Sequence, residues 1–298
     1  MTRHTMPLLL GLLVAAVAFA DGIPDYHPVA GWPQIPSDVK LGAVSAVATD
    51  SADRVYVFHR GPKPVLVFDR DGKFLRSWGD EHLKTPHGLR IDDKGNIWVT
   101  DIGNHQVMKL DSEGNLLLCL GKKGQAGVGD DQFDRPTDVA VAPGGEFYVS
   151  DGYGNSRVLK FSADGKLLKK WGKKGTGPGE FNLPHAIVLD SKGRVYVGDR
   201  ENSRIQIFDS EGKFETEWKE GGAPYGLFLA GNRLFVADGA SNWVKVLGPE
   251  GKAIGRFGEK GTGPGQFQLP HMLCVDSAGS VYVTEINGKR IQKFAVRK

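Results

Sequence analysis

LPHAIVLDSKGRVYVGDRENSRIQIFDSEGKF, residues 183–214, contains the pattern that decides the fold. Pro-His opens an apolar run that stops at Asp190. A Ser-Lys-Gly turn leads to VYVGD, and an Asn-containing loop leads to RIQIF. A second Gly turn, DSEG, then reverses the chain. Strands rich in β-branched and aromatic residues, separated by turns in which Gly supplies positive φ, read as a β-meander.

The same phrase recurs along the chain. TPHGLRIDDKGNIWVTDIGNHQVMKLDSEGN is residues 85–115, and RPTDVAVAPGGEFYVSDGYGNSRVLKFSADGK is residues 135–166. Further copies occupy 223–252 and 269–294, and a degenerate first copy occupies 44–79. The anchor prolines Pro86, Pro136, Pro184, Pro224 and Pro270 are spaced 40 to 50 residues apart. Four short strands per period of that length predict a propeller blade, and six copies predict an all-β six-bladed propeller. The sixth copy ends at Phe294-Ala295-Val296 after three strands. Residues 25–36 are therefore expected to cross back and supply the missing outer strand, closing an edge that would otherwise invite aggregation.

Composition agrees with this reading. The 41 Gly and 16 Pro are spread along the chain and not gathered into one tract, which fits many short strands and excludes collagen and disorder. The 38 basic and 35 acidic residues nearly cancel, and no basic stripe forms, so nucleic acid is excluded as a partner. The loops GTGPGEF (175–181), GTGPGQF (261–267) and GVGDDQF (127–133) lack the Gly-Lys-Ser/Thr that opens a helix in a phosphate loop, so they read as connectors between blades.

Residues 1–20, MTRHTMPLLLGLLVAAVAFA, have a short positive start, an apolar core and a small-x-small end. They read as a signal peptide, leaving 21–298 as a single exported domain, periplasmic or secreted, with no membrane span in the mature chain. A monomer is expected. The two cysteines, Cys119 and Cys274, fall in strand patterns of different blades and are expected to be free, packed thiols.

Register between copies points to a site. The residue after each anchor proline, with Ser45 placed by its following strand, is Ser45, His87, Thr137, His185, Tyr225 and His271 in blades one to six. Histidine thus occupies alternate blades, 120° apart around a six-fold ring, at the entry to the strand that lines the channel. Three imidazoles converging on an axis form the ligand set of an open metal site. Zinc as a Lewis acid suits it best, and iron, cobalt or copper also accept imidazole. His27, His59, His82 and His105 share no such register. Arg60 in FHRG, at a turn where other blades carry Asp, and Tyr153 in SDGYGNSR could face the same mouth. There they could bind a carboxylate and move a proton.

The strings FHRG, PHGLRID-x5-WVTDIGNHQVMKLD, RPTDVAV, VSDGYGNSRV and VGDRENSRIQIF resemble the NHL-type propellers and, more narrowly, the peptidyl-α-hydroxyglycine α-amidating lyases. The resemblance covers essentially the whole mature chain. It implies a zinc-dependent lyase that cleaves a hydroxyglycine-extended peptide to a peptide amide and glyoxylate. It places zinc on His87, His185 and His271 and catalysis on Arg60 and Tyr153. It also implies a channel calcium held by the backbone carbonyls of Val47 and Leu89 and by an Asp after the last His. Here that position is Met272, a poor ligand for a hard cation. One disulfide of the animal enzymes would fall on Asp134 and Gly154. Two alternatives stand beside the lyase. One is a non-catalytic exported propeller that binds a peptide, protein or glycan. The other is a different metal-dependent enzyme on the same scaffold, such as a lactonase.

Overall fold

Each of the first five copies of the motif forms one four-stranded antiparallel sheet in which spatial order follows chain order, and the sixth copy forms three strands of a sixth such sheet. The computed structural model describes residues 22–297, and six such sheets lie among them. The leader-like segment at 1–20 lies outside the described residues. Blade four is representative, with strands Pro184–Leu189, Val195–Asp199, Arg204–Phe208 and Phe214–Trp218. The innermost strands of the six blades are Val44–Thr49, Pro86–Ile91, Asp138–Val141, Pro184–Leu189, Pro224–Ala230 and Pro270–Val275. Each touches the next, and the sixth touches the first, so the ring is closed around a central channel.

The burial pattern explains the sequence pattern. A blade packs against a neighbour on both faces, so its inner strands are apolar at nearly every position and lack the usual alternation. Val55–His59, Phe147–Asp151 and Val195–Asp199 are buried at all five residues. The outermost strands meet solvent, and Phe214–Trp218 (FETEW) carries its charges there. Hydrophobic residues accordingly collect into six clusters, each between two successive blades. Ala46, Phe58, Leu89 and Val99 join blades one and two, and Val57, Phe68, Cys274 and Tyr282 join blades six and one.

The glycine-rich loops connect blades and act as wedges. Phe133, Phe181 and Phe267 close them and are buried. Gly172 and Gly258, at φ 96° and 94°, leave room for those rings, because a Cβ there would lie 2.6 Å from Phe181 and 2.2 Å from Phe267.

The N-terminal segment supplies the fourth strand of blade six. Tyr26, His27 and Pro28 pair antiparallel with Val296, Ala295 and Phe294. Trp32 then packs on Tyr282 of blade six and Phe68 of blade one, with ring centroids 4.9 and 6.2 Å away. No helix among the described residues is long and apolar enough to cross a membrane.

Two expectations need correction. Cys119 is not a packed thiol. It lies in Leu116–Leu120, the rim strand of blade two, and is exposed, whereas Cys274 is buried on an inner strand. The second correction concerns the residue that ends each blade's second strand. In blades two to five it is Asp101, Asp151, Asp199 or Asp238, a buried acid that accepts backbone N–H groups from the connector before the blade. In blade one His59, not Arg60, holds that register. It ends Val55–His59, is fully buried, and its Nδ1 accepts the Gly42 N–H at 3.2 Å. A neutral imidazole thus replaces the acid, and burial holds its pKa down.

Candidate metal centre

The axial register brings the three alternate histidines together. Ring centroids of His87, His185 and His271 form a nearly equilateral triangle of 4.7, 4.8 and 4.9 Å. Their ligand atoms all lie within 4.8 Å of one another, and at most 2% of each residue is exposed.

The odd blades orient what the even blades present. His87 Nδ1 meets Thr137 O at 2.6 Å, His185 Nδ1 meets Tyr225 O at 2.7 Å, and His271 Nδ1 meets Ser45 O at 2.6 Å. Each acceptor is the residue at the same axial register in the next blade. A carbonyl can only accept, so every Nδ1 carries the proton and every Nε2 keeps its lone pair free. This is the outer-shell arrangement that fixes a metal-ligating imidazole. The donor set therefore fits a divalent cation that accepts three imidazoles and leaves positions open.

Electrostatics agrees. Burial holds all three imidazoles neutral. His271 is pushed down to about 3, with Arg60 and Arg200 adding to the effect. His87 and His185 are lowered by burial and by their imidazole neighbours. Neutral imidazole is the ligating form, so no proton must be displaced at neutral pH.

Tyr153 sits against this triangle. Its hydroxyl lies 3.1 Å from His87 Nε2 and 3.2 Å from His185 Nε2. Burial raises its pKa, opposed by Arg200 and Arg60, so the phenol keeps its proton. The loop that carries it is held from blade two's connector. Gly154 N–H donates to Asp134 O at 3.1 Å, and Arg135 donates to Tyr153 O at 3.4 Å. A Cβ on Gly154 would sit 2.0 Å from Asp134 Oδ2, so the two positions are adjacent in space, and neither is a cysteine.

Arg60 reaches the same imidazoles from blade one. Its Nε donates to Pro86 O at 3.1 Å, and its charge lowers the pKa of both His87 and His271. A second guanidinium, which sequence reasoning missed, comes from blade four. Arg200 opens the short helical turn Arg200–Asn202, immediately after the buried Asp199. Its guanidinium lies 4.6 Å from the Tyr225 ring centroid and 5.7 Å from that of Tyr153. With His59 in the acid's place, Arg60 and Arg200 share one register in blades one and four, on opposite sides of the ring. That shared register was the available signal.

The third position of the expected calcium set, Met272, offers no oxygen ligand. The Met272 side chain is buried in the same apolar cluster as Leu89, between blades one and two, and Val47 packs in the neighbouring one. A thioether in a dry apolar cluster offers nothing to a cation that requires oxygen ligands.

Comparison with known proteins places this geometry in context. The NHL repeat model matches residues 83–110, 133–161 and 181–208. The chain is 40% identical to NHL repeat-containing protein 3 of Mus musculus over 288 residues, covering 89% of this chain and 82% of that protein. It is 33% identical to peptidyl-alpha-hydroxyglycine alpha-amidating lyase 2 of Drosophila melanogaster over 312 residues, covering 90% and 74%. Among solved structures, a gluconolactonase from Xanthomonas campestris superposes with a TM-score of 0.67 at 15% identity, covering 93% and 96%, which is a likeness of fold alone.

Proposed function

The chain belongs to the NHL-repeat propeller family that includes NHL repeat-containing protein 3 and the amidating lyases, and from that premise we propose that it is a zinc-dependent peptidyl-α-hydroxyglycine lyase. One observation carries the reading. Three oriented Nε2 atoms lie together with one buried phenol against two of them, and two guanidiniums from opposite blades bear electrostatically on the same imidazoles. His87, His185 and His271 would hold the ion, which supplies Lewis acidity toward the substrate's α-hydroxyl.

The protein's own groups do the rest. Arg60 and Arg200 bind the carboxylate of the hydroxyglycine and orient it, as paired guanidiniums do. Tyr153 is protonated at rest, which suits a relay. Its Oη accepts the hydroxyl proton while its own proton passes to the amide nitrogen. The C–N bond breaks, the C=O bond of glyoxylate forms, and the peptide amide leaves. No electron is gained or lost, so no redox cofactor is required. The substrate is a small extended peptide, and the leader-like first twenty residues support export to the periplasm or beyond.

The decisive experiment supplies an α-hydroxyglycine-extended peptide to purified protein and measures glyoxylate with and without a chelator. Chelator-sensitive glyoxylate is the expected result, and its absence would sink the lyase. The greater identity to NHL repeat-containing protein 3, whose name specifies no reaction, favours one alternative, a metal-bearing propeller that binds its partner without turnover. Bound metal with no glyoxylate would select it.

A further inference from the structure

The channel contains a second polar cluster deeper than the histidines, and it is built from one ion pair. Arg90 lies three residues beyond His87 on the same inner strand, roughly 10 Å along it at the usual strand rise. Its Nε donates to Asp138 Oδ1 at 3.1 Å, and a terminal nitrogen donates to Asp138 Oδ2 at 2.5 Å, a bidentate pair. The same nitrogen donates to Leu227 O at 3.1 Å. Asp138 belongs to blade three, but Leu227 belongs to blade five, which faces blade two across the ring. The guanidinium therefore crosses the channel.

Asp138 extends the tie further. It is fully buried, and each carboxylate oxygen also takes a backbone N–H, Oδ1 from Val139 at 2.9 Å and Oδ2 from Ile187 of blade four at 3.1 Å. One pair thus links the inner strands of four consecutive blades. At Arg90's register the other five blades carry Ala48, Ala140, Val188, Phe228 and Cys274, none of them charged. Beyond it the channel opens into a recess of about 340 Å³, lined by Arg90, Ile91, Val139, Ile187 and Leu229.

We infer that Arg90 is the resident cation of this channel. Its guanidinium, on the residue after Leu89, braces the inner strands of the channel in which the resemblance implies a calcium, and it seals the channel floor so that the histidine site opens at one end only. The substitution is chemically coherent. A divalent ion would need carboxylate and carbonyl oxygens around one point. Here the buried carboxylate and a cross-channel carbonyl are already taken by a fixed charge, and Met272, after the last axial histidine, offers no oxygen.

Two measurements test this, and neither reads activity, so the result is separate from that for the lyase. Equilibrium dialysis of the full protein against calcium, with thermal unfolding at zero and millimolar calcium, is expected to show no retained calcium and no change in Tm. One tightly held calcium per chain, or a calcium-dependent rise in Tm, would overturn the inference. Unfolding of Arg90→Met and of Arg90→Met/Asp138→Leu then tests the brace. The single variant should lose several degrees and the double variant fewer, because the single variant leaves a buried carboxylate unpaired. An Arg90→Met protein as stable as wild type would reject the brace. If that variant does not fold, the calcium measurement on the wild type still decides.

Discussion

The two ends of one channel use the same six strands in opposite ways. At the upper end three imidazoles have their Nδ1 atoms tied to neighbouring carbonyls and their Nε2 atoms aimed at a common point with a Tyr hydroxyl close by. At the lower end, one guanidinium and one carboxylate satisfy each other and backbone groups of three further residues, Val139, Ile187 and Leu227, in three blades. Buried polar groups cost free energy unless they are paired. The lower set is paired within the chain, so it braces. The upper set keeps acceptor capacity in reserve, so it can receive a ligand. Binding sites and struts are thus built from similar residues, and the difference lies in which valences are left unfilled.

Breaking the upper end should have the largest effect on chemistry. His185→Ala removes one of three ligands. Metal content measured by mass spectrometry should fall to near zero, and glyoxylate formation should drop at least about a hundredfold, because metal-centred stabilisation is worth several kcal/mol. Equal metal in variant and wild type would reject the centre.

Tyr153→Phe sharpens the comparison within the same end. It keeps the three imidazoles and deletes the proton. Bound metal should be unchanged while the rate falls about 10² to 10⁴-fold, the usual range for a general acid or base. A variant that loses metal as well would mark Tyr153 as a ligand.

The lower end should respond the other way round. Arg90→Met should lower unfolding free energy by about 3–5 kcal/mol, the typical result of stranding one member of a buried pair. In denaturant titration at saturating metal, the folded fraction should still bind one ion. A loss of metal together with stability would mean that the two ends are coupled.

The smallest effect is on pH. In metal-free protein, burial holds His59, His87, His185 and His271 below the ordinary histidine value. The unfolded chain then binds protons that the folded chain refuses. Stability should be level above the unfolded value of about 6.5 and fall progressively below it. Saturating metal should raise stability across this range without blunting the fall, since a ligated Nε2 takes no proton and the folded chain still refuses what the unfolded chain binds. Thermal melts at stepped pH, with and without metal, would show this, and identical profiles would contradict it.

Much of this was legible in the chain, for a physical reason. A repeat makes register visible, so Pro86, Pro184 and Pro270 mark His87, His185 and His271 as equivalent before any coordinates. The same register could have found Arg200, but Arg60 was set against the ladder acids and not the position after them. That error hid the equivalence of Arg60 and Arg200, because the replacement of acid by imidazole at His59 is visible only as a buried acceptor for Gly42. Cys119 was misjudged because LLLCLG reads as an inner strand, while its place as the fourth strand leaves one edge unpaired and solvated.

By itself the sequence determined the six-fold period, the four strands in each blade and the alternation of histidine around the axis. These follow from local turn chemistry and strand propensity, repeated at a fixed interval. Only the tertiary structure decided how far each group reaches across the channel. The next blade's carbonyls choose the imidazole tautomer, Tyr153 arrives from a third blade, and Arg90 meets Leu227, 137 residues away. Contacts across an axis depend on the closed ring and not on neighbours in the chain, so no pattern along one strand records them.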